Sequence, residues 1–371
     1  MSPRVLIDGT DRGGVIRYVD GLVTALDKAG ADIAVACQRA DADRYGRMAP
    51  TATIASGPTT ISHRAARLAW EQTGLPVMAD HVGAEVLHAP FYTMPVRAQR
   101  PTVVTVHDLT VFTDPDMLPP VKATFLRSAI RTAVRRATRI VVPSKATRHE
   151  LVELLSADPE RIDVAYHGVD HDLFHRPAPR DRDRMSSRLG LHGKPYIAFL
   201  GPFEPRKNVP SLIRGWVAAV ADREDPPALV LAGSRGYDDA VDTAASEVPA
   251  HLRLVRPGFL RYVDLPAYLG GAMVVAFPSR GEGFGLPVLE AMACGAPVLT
   301  THRTSLPEVG GEAVGYTEPD ADSIALALSD LLDQPERRQS LAEAGYTRSQ
   351  EFTWQISAET HLASYQRAVG E

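Results

Sequence analysis

The sequence is poor in cysteine, in long apolar runs and in any excess of one charge. Its two cysteines, Cys37 and Cys294, are far apart and have no neighbouring metal-ligand pattern. The sequence therefore supports neither a disulfide framework nor a zinc site, and we expect both thiols to pack in the interior. No apolar run approaches the roughly 18 residues that a membrane-spanning helix needs. The formal net charge of −5 gives no overall attraction to nucleic acid.

The first residues also lack the pattern of a secretion signal, because Asp8 interrupts the apolar segment almost at once. We therefore expect a cytoplasmic protein. Apolar residues make up 44% of the chain and charged residues 23%, which is typical of a soluble globular protein. A length of 371 residues is enough for two domains of ordinary size.

Short β-rich runs alternate with helical stretches along the chain, which predicts parallel sheets covered by helices on both faces. The predicted strands of the first series are Val5–Asp8, Ile33–Cys37, Val86–His88, Val103–His107, Ile140–Pro143 and Ile162–Tyr166. Those of the second series are Tyr196–Leu200, Ala228–Ala232, Leu252–Arg256, Met273–Phe277 and Pro297–Thr300. We expect two doubly wound α/β domains, joined near residues 170–192, with ligands at the carboxyl ends of the strands and in the cleft between the two sheets.

Two glutamates, Glu282 and Glu290, flank a glycine-rich turn that follows one of these predicted strands and opens a helix. Glycines in the turn let the backbone approach a ligand closely, and Pro287 suits the first position of a helix. A carboxylate one turn into the helix can accept paired hydrogen bonds from vicinal hydroxyls such as those of a ribose. The pattern therefore predicts a site for a sugar and a nucleotide. Gly295 is expected to end the helix.

Two adjacent cations, Arg206 and Lys207, precede a helix that starts near Val209 or Pro210. Cations at a helix N-terminus oppose the helix dipole, so local stability alone would favour the opposite charge. A bound anion resolves this conflict. We predict that a diphosphate is held by Arg206, Lys207 and the helix amides. A solvated basic turn is the alternative interpretation.

The predicted strand before His107-Asp108 places His107 where a ligand is expected, although a single histidine is more often structural. The loop that contains Gly13 and Gly14 does not match a dinucleotide-binding fingerprint and by itself indicates only a tight turn.

A basic helical segment follows in the first half, with Arg127, Arg131 and Arg135 recurring at every fourth residue. This spacing puts the three cations on one helical face, opposite an apolar face. A solvated surface explains the pattern, and the functional alternative is docking on an anionic membrane surface or on a phosphorylated lipid acceptor.

These features together resemble the retaining GT-B glycosyltransferases, and more narrowly the family 4 (group 1) enzymes and their bacterial mannosyltransferases. The resemblance rests on Glu282 and Glu290 with seven residues between them, on the run Glu204–Asn208, on His107-Asp108, on His167–Asp170 and on the early Gly-Gly turn. It implies two Rossmann-like domains facing across a cleft. Residues 1–172 would form the acceptor-side domain and residues 190–352 the donor domain, with a C-terminal helix within 353–371 that crosses back to the first domain.

The resemblance also implies roles for individual residues. Arg206 and Lys207 would bind the donor diphosphate, Glu282 the sugar hydroxyls and Glu290 the ribose. His107 would stand beside the sugar at the reacting face.

Further donor contacts would come from backbone amides and loops, namely from Phe284, Gly285 and Leu286, from the loop with Gly13 and Gly14, and from Phe259 near the base. Many members carry an arginine where this chain has Pro202, so diphosphate binding rests more heavily on the Arg206-Lys207 pair.

The implied reaction transfers a hexose from a nucleoside diphosphate sugar, with GDP-mannose favoured, to a hydroxyl acceptor with retention of configuration. No metal or other cofactor is expected, and Asp114-Pro115-Asp116 is interpreted as a chance match to the D-x-D of metal-dependent transferases. The acceptor is not identified, and a lipid-linked saccharide, a polysaccharide primer and a small metabolite all fit. The alternatives are a UDP-sugar-dependent glucosyl- or N-acetylglucosaminyltransferase, a non-hydrolysing nucleotide-sugar epimerase and a donor-binding protein without turnover.

Overall fold

A computed structural model describes residues 2–11, 15–114 and 117–370 of the chain. It divides into two compact units, Met1–Gly168 with Thr353–Glu371, and Val169–Phe352. Each unit is built on its own sheet.

The sheet of the first unit has seven parallel strands within the described residues. They are β1 (Val5–Asp8), β2 (Ile33–Cys37), β3 (Thr53–Ser56), β4 (Val86–Ala89), β5 (Thr102–Thr105), β6 (Arg139–Val142) and β7 (Ile162–Val164). Their order is β3-β2-β1-β4-β5-β6-β7, so the winding reverses between β1 and β4. The helices between them are α1 (Ile16–Lys28), α2 (Ala42–Met48), α3 (Arg64–His81), α4 (Thr110–Thr113), α5 (Pro120–Arg136) and α6 (Lys145–Leu155).

The second unit repeats this plan with six parallel strands among its described residues. They are β8 (Tyr196–Leu200), β9 (Ala228–Ala232), β10 (Leu254–Gly258), β11 (Val274–Phe277), β12 (Val298–Thr301) and β13 (Gly315–Thr317), in the order β10-β9-β8-β11-β12-β13. The helices are α7 (Pro179–Arg188), α8 (Val209–Val220), α9 (Ala240–Ser246), α10 (Leu265–Gly270), α11 (Leu286–Ala293), α12 (Leu306–Gly310), α13 (Ala321–Asp333) and α14 (Pro335–Ser349).

The final helix, α15 (Trp354–Gly370), belongs to the first unit although it follows the second along the chain. Its buried face, including Ala358 and Tyr365, joins the core beneath β1 and α1. Gly21 of α1 makes room for the Trp354 ring, because a Cβ atom at that position would come within 2.2 Å of the indole.

The fold class predicted from sequence, two doubly wound parallel α/β sheets, is confirmed. Most central strands are buried on both faces and were visible as continuous apolar runs. The predicted strand Leu252–Arg256 is wrong by two residues, because β10 runs from Leu254 to Gly258. β10 is an edge strand with a register shift, which tolerates Pro257. Both cysteines are buried and unbridged, as predicted.

Candidate functional site

The sheet order explains why Lys207 and Glu282 of the second unit meet although they are 75 positions apart. β8 pairs with β9 on one side and with β11 on the other, so the winding reverses between β8 and β11. Ligands of doubly wound sheets bind at such a switch point, outside the carboxyl ends of the strands. Residues 201–208 follow β8 and residues 278–285 follow β11, so both segments lie at this edge.

A compact ionic group, here called the Glu282 cluster, comprises Arg206, Lys207, Ser279 and Glu282. Arg206 Nη1 lies 2.6 Å from Glu282 Oε2, and Lys207 Nζ lies 2.6 Å from Glu282 Oε1. Ser279 Oγ donates a third hydrogen bond, of 2.6 Å, to Oε1. The Lys207 and Glu282 side chains are only 5% and 7% exposed. The structure therefore brings together Arg206, Lys207 and Glu282, which sequence reasoning had assigned to one site.

Opposing effects set the protonation of the Glu282 cluster. Burial alone would raise the pKa of Glu282, but the charges of Arg206 and Lys207, together with the Lys207 and Ser279 hydrogen bonds, lower the pKa to about 2. Burial and the neighbouring Arg206 lower the pKa of Lys207. The lowered pKa of Glu282 and the lowered pKa of Lys207 have a common cause. Two cations face the Glu282 carboxylate in a buried environment. Negative charge added beside Lys207 would stabilise its ammonium form.

Glu204 is part of the same ionic network and was not assigned a role from the sequence. Its Oε2 accepts a 3.0 Å hydrogen bond from Arg206 Nε, so one guanidinium bridges two carboxylates. The signal was present, because Glu204 precedes the basic pair by two residues. The side-chain direction that brings them together depends on the short 3₁₀ turn Pro205–Lys207, which the sequence did not reveal.

Side-chain hydrogen bonds to backbone carbonyls fix the two loops to each other and to neighbouring segments. Asn208 adopts the left-handed conformation (φ 59°), and its Nδ2 donates to the carbonyl oxygens of Pro278 and Pro319. Ser305 Oγ donates to the carbonyl oxygens of Glu282 and Phe284. These contacts hold the Glu282 cluster in one geometry, which a site for a defined ligand requires.

The other predicted donor residues occupy different environments. Glu290 is buried (2% exposed) one turn into α11. The Phe284 ring packs edge-on against Phe352 in the core, so only its backbone remains a candidate ligand contact. Gly285 caps α11 at φ 107°, and Leu286 is the first residue of that helix. Phe259 is 79% exposed in the loop after β10.

The ends of α11 follow the predicted turn chemistry closely. The helix begins at Leu286, so Pro287 occupies its second position and not the first, which corrects the prediction by one residue. Gly295 ends the helix at φ 69° with the bonds Gly295 N–Met292 O and Ala296 N–Ala291 O, as predicted.

His107 lies in the first unit, in the loop after β5, since the strand ends at Thr105 and not at His107 as predicted. Its Nε2 lies 2.7 Å from the carbonyl oxygen of Pro90. A carbonyl oxygen only accepts, so Nε2 carries the proton and Nδ1 carries the lone pair of the neutral ring. Burial lowers the pKa of His107 despite this bond and the nearby Asp108, so the imidazole is neutral at pH 7.

Two predicted features fall partly outside the described residues. Gly13 and Gly14 lie in the segment that the structure does not describe, and so do Pro115 and Asp116 of the D-x-D match. Among the residues it does describe, no group of three or more His, Cys, Asp or Glu side chains is arranged to hold a metal ion.

The basic segment forms α5 as expected, with Leu126, Ile130 and Ala133 buried on its apolar face. Arg131 and Arg135 are exposed, whereas Arg127 is partly buried and its Nε donates to the carbonyl oxygen of Val111 at 2.6 Å. No helix within the described ranges is both long and apolar enough to cross a bilayer.

Two family models match successive parts of the chain. The model of glycosyl transferases group 1 matches residues 181–348, and the model of glycosyltransferase family 4 matches residues 12–173. The first match contains the Glu282 cluster and the second contains His107.

Two curated relatives are named as glycosyltransferases. The chain is 29% identical over 287 residues to the O-antigen chain mannosyltransferase B of Escherichia coli, covering 76% of this chain and 74% of that protein. It is 34% identical over 259 residues to the D-inositol 3-phosphate glycosyltransferase of Kineococcus radiotolerans, covering 64% of this chain and 58% of the relative.

Solved structures share the fold over almost the whole chain. Anabaena HepE in complex with UDP and glucose superimposes with a TM-score of 0.79 at 19% identity, covering 98% of this chain and 100% of that one. Sucrose-phosphate synthase from Thermosynechococcus elongatus gives a TM-score of 0.79 at 21% identity, with 99% of each chain covered.

Sheet order, family models and curated relatives therefore converge on one assignment. The chain is a GT-B glycosyltransferase of the group 1 and family 4 type, an enzyme of the hexosyltransferase class.

Proposed function

We propose that this enzyme transfers a hexose from a nucleoside diphosphate sugar to a hydroxyl acceptor, with retention of configuration and without a metal ion. Mannose from GDP-mannose is the favoured donor, because the mannosyltransferase of E. coli aligns over three quarters of the chain. Residues 190–352 would bind the donor, and residues 1–172 with 353–371 the acceptor.

The observation that carries the proposal is the Glu282 cluster at the switch point of β8 and β11. Two cations held within 2.6 Å of one carboxylate form a fixed set of hydrogen-bond donors that a diphosphate can take over. When phosphate oxygens displace Glu282 from Arg206 and Lys207, the carboxylate is released to accept hydrogen bonds from sugar hydroxyls. This single exchange of hydrogen-bond partners would bind both the diphosphate and the sugar of the donor.

The same cations would act on the chemical step. As the sugar leaves, negative charge grows on the diphosphate, and cations fixed beforehand stabilise that charge without reorganisation of water. The departing phosphate would take the proton of the acceptor hydroxyl. Neutral His107 would accept a hydrogen bond from a sugar hydroxyl at Nδ1, which its tautomer leaves as the acceptor.

The test is a donor screen with purified protein. GDP-mannose, UDP-glucose and UDP-N-acetylglucosamine are incubated with a pooled acceptor extract, and released nucleotide is measured. We expect turnover with GDP-mannose that falls by roughly a hundredfold or more in Arg206→Ala or Lys207→Ala and that changes little on addition of EDTA. A large EDTA effect would contradict metal independence.

Nucleotide preference is tested separately by thermal unfolding with GDP or UDP. A nucleotide present at a hundred times its dissociation constant adds ~2.7 kcal/mol to the free energy of unfolding. Stabilisation by UDP alone would favour the UDP-sugar alternative. Conversion of donor to an isomeric sugar nucleotide without any acceptor would identify an epimerase.

A lipid-linked acceptor and peripheral contact with the cytoplasmic face of an anionic membrane remain part of the proposal. The exposed Arg131 and Arg135 of α5 support it, since each cation near an anionic surface contributes about 1 kcal/mol. Membrane binding is measured by co-sedimentation with vesicles of phosphatidylcholine alone and with vesicles that also contain phosphatidylserine. Equal binding to both kinds of vesicle would contradict the membrane hypothesis.

A further inference from the structure

The first unit contains a buried chain of hydrogen bonds that begins and ends on α15. Tyr365 hydroxyl lies 2.8 Å from His88 Nδ1, and His88 Nε2 lies 2.8 Å from Thr105 Oγ1. Thr105 Oγ1 lies 2.8 Å from the Tyr18 hydroxyl, which lies 2.7 Å from His361 Nε2. Between its two ends on α15, this series of hydrogen bonds passes through residues of β4, β5 and α1.

The contact between His361 and the Ser357 carbonyl fixes the donor and the acceptor of every hydrogen bond in the series. His361 Nδ1 lies 2.6 Å from the carbonyl oxygen of Ser357, which only accepts, so Nδ1 carries the proton and Nε2 the lone pair. Tyr18 therefore donates to His361, and Thr105 donates to Tyr18. By the same logic His88 donates from Nε2 to Thr105, and Tyr365 donates to His88 Nδ1. All members point the same way, so each bond polarises the next.

Tyr18 connects this series of hydrogen bonds to His107. The Tyr18 ring meets the His107 ring edge-on, with centroids 5.0 Å apart at 81°, and Tyr92 meets the imidazole edge-on from 5.6 Å at 76°. The two tyrosine rings and the Pro90 carbonyl thus define the His107 orientation. The Tyr18 ring also packs on His167 at 4.8 Å.

We infer that α15 holds the His107 imidazole in its working orientation through Tyr18, whose hydroxyl is anchored between Thr105 and His361. Tyr18, Thr105 and His361 are then positioning residues that touch no substrate. This inference rests on the proposed role of His107 toward the donor sugar.

The first readout needs no substrate. Nitrogen-15 histidine NMR of the full chain reports the tautomer and ring environment of His107 in wild type and in Tyr18→Phe, which keeps the ring and removes only the anchoring hydroxyl. In Tyr18→Phe we expect a shifted His107 signal with the proton still on Nε2, because the Pro90 carbonyl continues to accept its hydrogen bond. The matched control is Tyr196→Phe, because Tyr196 is a buried tyrosine of the second unit whose hydroxyl likewise donates an internal hydrogen bond, in its case to the carbonyl oxygen of Tyr268 at 2.6 Å. That variant should leave the His107 signal unchanged.

A second pair of variants protects the test against simple misfolding. Thr105→Val interrupts the chain with a side chain of the same shape, whereas Thr105→Ser retains the hydroxyl. We expect Thr105→Val to reproduce the Tyr18→Phe spectrum and Thr105→Ser to restore the wild-type spectrum. An unchanged His107 signal in both Tyr18→Phe and Thr105→Val would overturn the inference.

Turnover separates this inference from the proposed function. GDP release from GDP-mannose should fall in Tyr18→Phe by roughly threefold to tenfold in kcat, with KM unchanged within about twofold, since only alignment at the reacting centre is lost. If the spectrum shifts but no nucleotide sugar is turned over by wild type, the positioning role stands and the proposed function fails. If wild type turns over donor and Tyr18→Phe matches it in spectrum and kcat, the positioning role fails alone.

Discussion

Lys207 and Glu282 are nearly inaccessible to water, so each depends on the other for its charge. We expect Lys207→Ala to lower the free energy of unfolding by about 2 kcal/mol, because Glu282 then keeps only Arg206 and Ser279 as partners. The matched control is Arg214→Ala, which breaks a pair whose side chains are 47% and 50% exposed. That change should cost less than about 1 kcal/mol. Urea unfolding measures both, and equal losses would contradict the burial argument.

Phe259 is exposed where the proposed nucleotide base would lie, and an aromatic ring there can stack on the base. We expect Phe259→Ala to weaken GDP binding by roughly tenfold, since stacking on a base is worth about 1–3 kcal/mol. Because the ring is 79% exposed, the melting temperature without nucleotide should hardly change. Val263→Ala, at a residue 65% exposed four positions further on, should leave binding intact. Calorimetric titration checks both, and an unchanged dissociation constant for Phe259→Ala would remove the residue from the site.

The sequence could predict that three charged residues belong together, but not all of their contacts. Arg206, Lys207 and Glu282 stood out because each follows a strand and precedes a helix. The bond from Tyr18 to His361 spans 343 positions, and no local pattern reveals a partner that far away. Glu204 was visible beside the basic pair, yet its contact with Arg206 depends on a turn that composition alone does not define.

The stability with which α15 packs in the first unit depends on pH through His361. Burial lowers the pKa of His361 to about 4 from its ordinary 6.5, although its bond to the Ser357 carbonyl and the charge of Asp163 act in the opposite direction. The unfolded chain therefore binds a proton at this position below pH 6.5 while the folded chain does not. Stability that is fully present above pH 6.5 is lost as the pH falls toward 4. The pKa difference corresponds to about 3 kcal/mol for this group.

Urea unfolding of the first unit at pH 7 and pH 5 measures this dependence. His361→Gln should weaken but not abolish the pH dependence, because burial also lowers the pKa of His88, His107 and His167. His81→Gln, which changes an exposed histidine at the end of α3, should leave the pH dependence as in wild type. If the free energy of unfolding changed equally between pH 7 and pH 5 in wild type and in both variants, His361 would not bind a proton on unfolding.

Elements with long apolar runs were predictable, and short or polar ones were not. The central strands β1, β2, β8, β9 and β11 match their predictions within one residue, because burial on both faces leaves an unbroken apolar signature. β3 is partly exposed and contains Thr53 and Ser56, so it carries no such signature and was missed. β13 is only three residues long, and its place at the sheet edge is set by pairing with β12.

At the scale of the whole molecule, the first unit is assembled from two separated stretches of chain. Removal of residues 353–370 would leave Tyr18 and His88 without the partners that α15 provides. We expect the truncated protein to show faster amide hydrogen exchange in β1, β4 and β5, while β8 and β11 retain their protection. Exchange that rises equally in both units would contradict the assignment of α15 to the first unit's core.

The placement of α15 also has a consequence for biosynthesis. Domains usually fold in the order in which the ribosome makes them, starting from the N-terminus. Here α15 is made after the second unit but completes the unit that precedes it. The second unit can therefore reach its native state before the core of the first unit is complete. Apolar surface on α1 and beneath the first sheet stays uncovered during that interval, and transiently exposed apolar surface favours aggregation.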